Sequence, residues 1–224
     1  MAIRIANGIK LRPELEDENE RYVTGGAPLQ PLRAILPPKE SMPTVRTERL
    51  CLRPLTHDDA QAIFDCRSKD LRLNHFKNID DVHAWMDRKI FSVPSAPESR
   101  RVQYAVVLGD NPGGPVIGSV GLNQVHPVPN IGYGIDERFW GKGYASEAVG
   151  GLLKMWWGLP RTEGYEAEEK SDDWDGKERV FATADKENTA SLRVLEKNGF
   201  YVYFERTMGD GVRVCSAAVE RPDN

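Results

Sequence analysis

Cysteine is scarce. The chain has three, Cys51, Cys66 and Cys215, with neither C-x-x-C nor Cys/His metal spacing. An odd number without such spacing excludes a disulfide framework and gives no metal site, so all three are expected as buried, reduced residues. Long apolar runs are missing too, and none approaches the roughly 18 residues of a spanning helix. The opening MAIRIANGIKLRPELEDENE has neither a signal-peptide core nor the acid-poor character of a transit peptide. A soluble, cytoplasmic protein is expected, with no membrane partner. Basic excess is also lacking: 30 Lys and Arg against 34 Asp and Glu leave a formal charge of −4. That argues against nucleic acid as a partner and leaves room for a compact anion pocket.

What is present is ordinary globular usage, 40% hydrophobic and 29% charged in 224 residues, enough for one domain with a full core. Residues 1–43 read as an irregular extension, because Gly25-Gly26, Pro28, Pro31, Pro37-Pro38 and Pro43 interrupt any period. The domain is expected over residues 44–224. Arg49 to Leu55 alternates as a strand, and Thr56-His57-Asp58-Asp59 offers caps for a helix carrying Ala60, Ile63, Phe64 and Arg67. A second helix from Ile79 repeats Val82, Trp85, Met86 and Ile90. Val102–Leu108 and Val116–Val125, joined by Asp110-Asn111-Pro112-Gly113-Gly114, read as an antiparallel hairpin, and Asn130–Ile135 as a further strand.

Downstream, Ala145, Ala148, Val149, Leu152, Leu153 and Trp156 give a helix an apolar face that ends near Gly158-Leu159-Pro160. Arg161 to Lys177 is rich in Glu and Asp and reads as a solvated acidic loop, with a lid over substrate as the other reading. A buried strand Arg179–Ala184, a helix Asn188–Asn198 closed by Gly199, and strands Phe200–Phe204 and Val212–Val219 follow. The fold class is therefore α/β of the α+β type: a mixed, largely antiparallel sheet of about seven strands flanked by helices.

Chemistry concentrates where the Asn130–Ile135 strand turns, through Asp136 to Phe139, into Trp140-Gly141-Lys142-Gly143-Tyr144-Ala145 and a helix. Gly141 and Gly143 allow unusual dihedrals and close approach, while the free N–H groups and dipole of the helix's first turn favour an anion. Spacing excludes a G-x-x-x-x-G-K-[ST] loop and a G-x-G-x-x-G fingerprint, since Ser146 stands three residues after Gly143. Alone, such a turn also serves as a plain helix start.

A second segment, Asn188 to Phe200, carries Asn188, Ser191 and Leu195-Glu196-Lys197-Asn198-Gly199-Phe200. With Ile131-Gly132-Tyr133, Trp140 to Ala145 and Glu147-Ala148, it resembles, from about Thr47 to Val219, the GNAT superfamily of acyl-CoA N-acyltransferases. The likeness is to the branch that includes the ribosomal-protein N-terminal acetyltransferases. The resemblance implies acetyl-CoA as co-substrate, no metal, and an amine acceptor that is a protein N-terminus or a small molecule. It implies that amides of Gly141, Lys142, Gly143, Tyr144, Ala145 and Ser146 hold the pyrophosphate, with the Lys142 side chain either helping or exposed. Tyr133, Gly134 and Ile135 would pair with the pantetheine amides, one N–H polarising the thioester carbonyl. Asn188 would meet the pantetheine arm or an ordered water, and Ser191 the cofactor; as bare residues Asn188 equally reads as a helix cap and Ser191 as a hydroxyl that satisfies backbone.

Two family positions depart from the pattern. The Tyr that many members place seven residues after the Asn is Leu195, which leaves Ser191 as a candidate acid. The Glu that often precedes the Ile-Gly-Tyr strand is Asn130. The base candidates are then His126, whose ordinary pKa near 6.5 suits the task though in its Pro-rich loop it also reads as a solvated or structural histidine, with Asp136, Glu137 and His75; a water chain is the alternative to all four. Binding of acyl-CoA by a sensor or interaction module with little turnover is the alternative of a different class. Monomer and homodimer both fit, since the final strands can pair between subunits.

Overall fold

The computed structural model describes residues 27, 30–67, 76–91, 101–163, 174–209 and 211–223. They form two compact units. One comprises Met1–Ala34, Val125–Ile131 and Arg161–Asn224, the other Ile35–Gln124 and Gly132–Pro160.

The second unit is built on β2 (Val45–Arg46), β3 (Leu50–Pro54), β4 (Val102–Leu108) and β5 (Val116–Gln124), antiparallel neighbours in that order. β6 (Asn130–Ile135) follows β5 in the sheet. Its helices are α1 (Ala60–Arg67), α2 (Ile79–Met86), which continues as a wider π turn over Asp87–Phe91, and α3 (Tyr144–Gly158). The anticipated helical spacing is realised: Ile63, Val82, Met86 and Ile90 are buried together with Cys51, Ala105 and Val107. α1 begins where the Thr56 hydroxyl and the Asp59 carboxylate cap each other's backbone. Asp59 is itself buried and takes a bidentate pair from Arg53 (2.6 and 2.8 Å). Burial alone would raise its pKa, but these bonds and the Thr56 N–H outweigh that and hold it low.

The first unit orders β6, β8 (Arg179–Asp185), β10 (Arg213–Glu220) and β9 (Tyr201–Thr207). β10 runs antiparallel to both neighbours, whereas β6 and β8 are parallel through the single register pair Asn130↔Phe181. α4 (Thr189–Lys197) joins β8 to β9, and Gly199 ends it at φ 81°, a conformation that glycine adopts without strain. Phe181, Tyr203, Phe204 and Ala218 make this unit's apolar cluster with Ala27 and Val128.

The architecture is a large, mostly antiparallel sheet flanked by helices, with eight strands against about seven expected. The additional strand is β2, two residues that join by pairing with β3 and carry no periodicity of their own. Two local readings need correcting. Leu32–Ala34 (β1), inside the stretch expected to be irregular, pairs antiparallel with Arg161–Glu163 (β7), the start of the segment read as an acidic loop. Neither segment alternates, so only the pairing defines them. The end of the acidic segment is also built in: buried Arg179 (1% exposed) takes both oxygens of Asp175 (2.7 and 2.6 Å), one of Glu220 (3.0 Å) and the Tyr201 hydroxyl (3.2 Å). Glu178 pairs with Arg161 and Arg221. Residues 164–173, the rest of that segment, lie outside the described residues, as does His75. All three cysteines are buried thiols outside any disulfide, and burial, with Glu205 adding to it, pushes Cys215 up to about 11.

Candidate functional site

β6 ends at Ile135, and the chain is caught at once by three local bonds. Asp136 N–H donates to the Ile117 carbonyl (2.8 Å), its carboxylate accepts from Arg138 N–H (2.9 Å), and the Trp140 indole N–H donates back to Ile135 O. Trp140 is otherwise 53% exposed, so its indole acts here as a latch across the turn. Gly141 and Gly143 then take φ of 74° and 82°, in the left-handed region that costs an L side chain about 1–2 kcal/mol. Gly143 is the N-cap of α3 and has no side chain to cap with. Among the described residues, no group accepts the N–H of Gly143, Tyr144 or Ala145. An α-helix start with uncapped N–H groups and a positive dipole end is an anion cradle.

Sequence reasoning missed the residue that braces this cradle. Arg49, at the entry to β3, donates to the Lys142 carbonyl (3.0 Å) and to Glu147 (2.8 Å), and lies 4.7 Å over the Tyr144 ring. A Cβ on Gly143 would stand 3.4 Å from its Nη2. Glu147 accepts further bonds from the Thr47 hydroxyl (2.6 Å) and Arg49 N–H (2.7 Å). Its carboxyl lies below its ordinary value, because these bonds outweigh the burial that would raise it. The effect is to neutralise a carboxylate in the helix's first turn and set a guanidinium beside the glycines. Glu147 was legible as part of the Glu-Ala pair; Arg49, 93 residues before Lys142, carried no local signal. Lys142 itself points back, its Nζ near the Arg138 carbonyl (3.3 Å) and over Phe139.

Tyr133, Gly134, Ile135 and Gly141 to Ser146 all belong to the second unit, while His126, Asn130, Asn188 and Ser191 belong to the first. Gly118 allows the close approach of β5 to β6: a Cβ there would stand 2.2 Å from the Gly134 carbonyl, whereas Gly134 itself has ordinary space around its Cβ position. Asn188 caps α4, its Oδ1 accepting from Ser191 N–H (3.2 Å). Leu195, at the position of the family's Tyr, is buried, and Asn130, at the position of the Glu, is 9% exposed with Nδ2 unsatisfied. Of the base candidates, Asp136 has both oxygens engaged by Arg138 (3.0 and 2.6 Å), and His126 is buried at 5% exposure. Among the described residues no three side chains cluster as metal ligands, and no helix is long and apolar enough to cross a membrane.

The double-glycine turn after β6 and the uncapped start of α3 give the chain an anion-binding element at the end of a sheet strand. Consistently, the acetyltransferase (GNAT) domain matches residues 49–201, and the chain belongs to that family and is an acetyltransferase. It is similar to the uncharacterized N-acetyltransferase YoaA of Bacillus subtilis, 29% identical over 163 residues, 70% of this chain and 82% of that protein. Solved structures of the same fold include a GNAT-family acetyltransferase from Bacillus anthracis, with TM-score 0.59 and 20% identity over 81% of this chain and all of the other. Another is RimL, a ribosomal L7/L12 alpha-N-protein acetyltransferase in complex with coenzyme A, with TM-score 0.56 and 16% identity over 80% and 98%.

Proposed function

We propose that this acetyltransferase takes its acetyl group from acetyl-CoA and passes it to a primary amine, on a peptide N-terminus or a small molecule, by direct attack. The observation that carries the reading is the uncapped start of α3 behind Gly141 and Gly143, braced by Arg49. Three N–H groups without partners and a nearby guanidinium suit a pyrophosphate, which brings acceptor oxygens and negative charge. The acetyl thioester contributes an activated carbonyl with a good leaving group.

This chain's residues then have to hold, orient and move a proton. Tyr133, Gly134 and Ile135, the last residues of the strand that feeds the turn, are assigned to the pantetheine amides. Asn188, its oxygen used for capping, has its amide N–H pair to give. We assign the buried His126 as the base and Ser191 as the acid; Arg138 binds both oxygens of Asp136, which favours His126 over it. The attacking amine must be neutral, so the rate should rise with pH as it loses its proton.

Thiol release from acetyl-CoA, measured across peptides with free N-termini and small amines, tests the reading. Amine-dependent release with micromolar acetyl-CoA binding is expected. Tight acetyl-CoA binding without amine-dependent release would overturn acetyl transfer in favour of a sensor, and no binding would overturn the cradle.

A further inference from the structure

Three arginines withdrawn from water each answer a carboxylate: Arg53 pairs with Asp59, Arg161 with Glu178, and Arg179 with Asp175 and Glu220. Arg101, at the entry to β4, does not. It is half-buried, and among the described residues no hydrogen bond or ion pair reaches its guanidinium. Burial, with nothing to offset it, draws its pKa below the ordinary value. A charge taken from water without a counter-charge is costly and therefore uncommon. Arg101 also lines a cleft that lies entirely within the second unit.

The other walls of that cleft are Lys39, from a single helical turn at Lys39–Ser41, Leu55 just after β3, Ile90 from the π turn, and Gln103 and Tyr104 from the start of β4. Turns of the π type are frequent at functional sites. Among the described residues no carboxylate lines the cleft. On the same elements Glu40 is exposed, and Asp87 is held by His57 (2.7 Å). The Tyr104 hydroxyl donates to the Pro43 carbonyl (3.0 Å) and the Gln103 amide to Asn123 (3.2 Å), so both are committed. Lys39 brings a second positive charge, its Nζ 3.9 Å over the Phe91 ring. The cavity volume of about 20 Å³ suits one compact group, since a water needs roughly 10–15 Å³ on this measure. Water completes N–H groups but supplies no charge, whereas an oxyanion does both. The parallel N–H groups of a guanidinium match the two oxygens of a carboxylate, the smaller of the oxyanions that the fork accepts in this way.

We propose that this cleft binds the carboxylate of a small organic acid, gripped by Arg101 and drawn in by Lys39. It shares no residue with the glycine cradle, and the proposal does not depend on acetyl transfer. The probe is acetate, exchanged for chloride at constant ionic strength, with thermal unfolding as the readout. Acetate at about 100 mM should raise the wild-type Tm by about 2 °C or more, as a ligand of the folded state does. Arg101→Met keeps the stem and removes the fork. Its Tm in chloride should equal or exceed that of wild type, because no partner is lost, and the rise with acetate should vanish. Lys39→Gln, at an exposed position, should show a smaller rise than wild type. Arg49→Ala, which alters the cradle alone, should keep the full rise. No acetate effect on the wild type would overturn the proposal, as would a full rise in Arg101→Met. A rise abolished by Arg49→Ala would also overturn it, since acetate would then sit in the cradle. So would a Tm lowered in chloride by Arg101→Met, since the guanidinium would then serve the fold. Inorganic phosphate that matches acetate in wild type and loses its effect in Arg101→Met would overturn the choice of a carboxylate.

Discussion

Alanine at Gly143 adds one carbon where the backbone sits at φ 82°. The left-handed conformation costs an L residue about 1–2 kcal/mol, and the new Cβ would meet Arg49 Nη2 at 3.4 Å, a contact a flexible side chain can yield. Where that cost appears depends on the free protein. If the turn keeps its shape without ligand, the strain lowers Tm by about 2–8 °C, at 2–4 °C per kcal/mol for a chain of this size. If the turn relaxes, the cost is met on binding, and the acetyl-CoA Kd rises about 5–30-fold. The two losses together should come to about 1–2 kcal/mol. Gly158, at the far end of the same helix, has no positive φ and open space around its Cβ position. Gly158→Ala should therefore be neutral or slightly stabilising, with acetyl-CoA affinity unchanged. Thermal unfolding and calorimetric titration of both variants suffice. Wild-type Tm together with wild-type Kd in Gly143→Ala would refute the argument from backbone conformation.

Removing the brace is a second perturbation: Arg49→Ala should weaken acetyl-CoA binding several-fold and reduce its salt dependence, and Arg49→Lys should not restore it, since an ammonium cannot span Glu147 and the Lys142 carbonyl as the planar fork does. Arg179→Leu should destabilise by about 1–3 kcal/mol through the lost hydrogen bonds to Tyr201 and to Asp175 and Glu220, whose carboxylates stay partly exposed to water, and a urea titration reads this directly. Asp59 and Asp175 titrate below their ordinary values, Asp175 chiefly through its bond to Arg179. A depressed folded-state pKa gives stability that is present above about pH 4 and lost as pH falls through the folded value. The Tm gap between wild type and Asp59→Asn should accordingly be wide at pH 7 and close towards pH 3; a constant gap would refute the assignment.

The sequence by itself determined whatever rests on local chemistry. Alternation and turn residues located β4, β5 and β6, the capping box of Thr56 and Asp59 located α1, and Gly141 and Gly143 marked the cradle, since only glycine takes that backbone cheaply. Paired with the Asn188 to Phe200 helix, they also pointed to the acyl-CoA chemistry. Tertiary structure alone decided the contacts made across long separations. β1 and β7 exist because they find each other, Arg49 braces a turn 93 residues away, and Arg179 gathers Asp175 and Glu220, none of which leaves a periodic trace. Local conformational preference acts between neighbours in sequence and can be read from it, whereas burial and the partnering of charges depend on which distant residues the fold brings near.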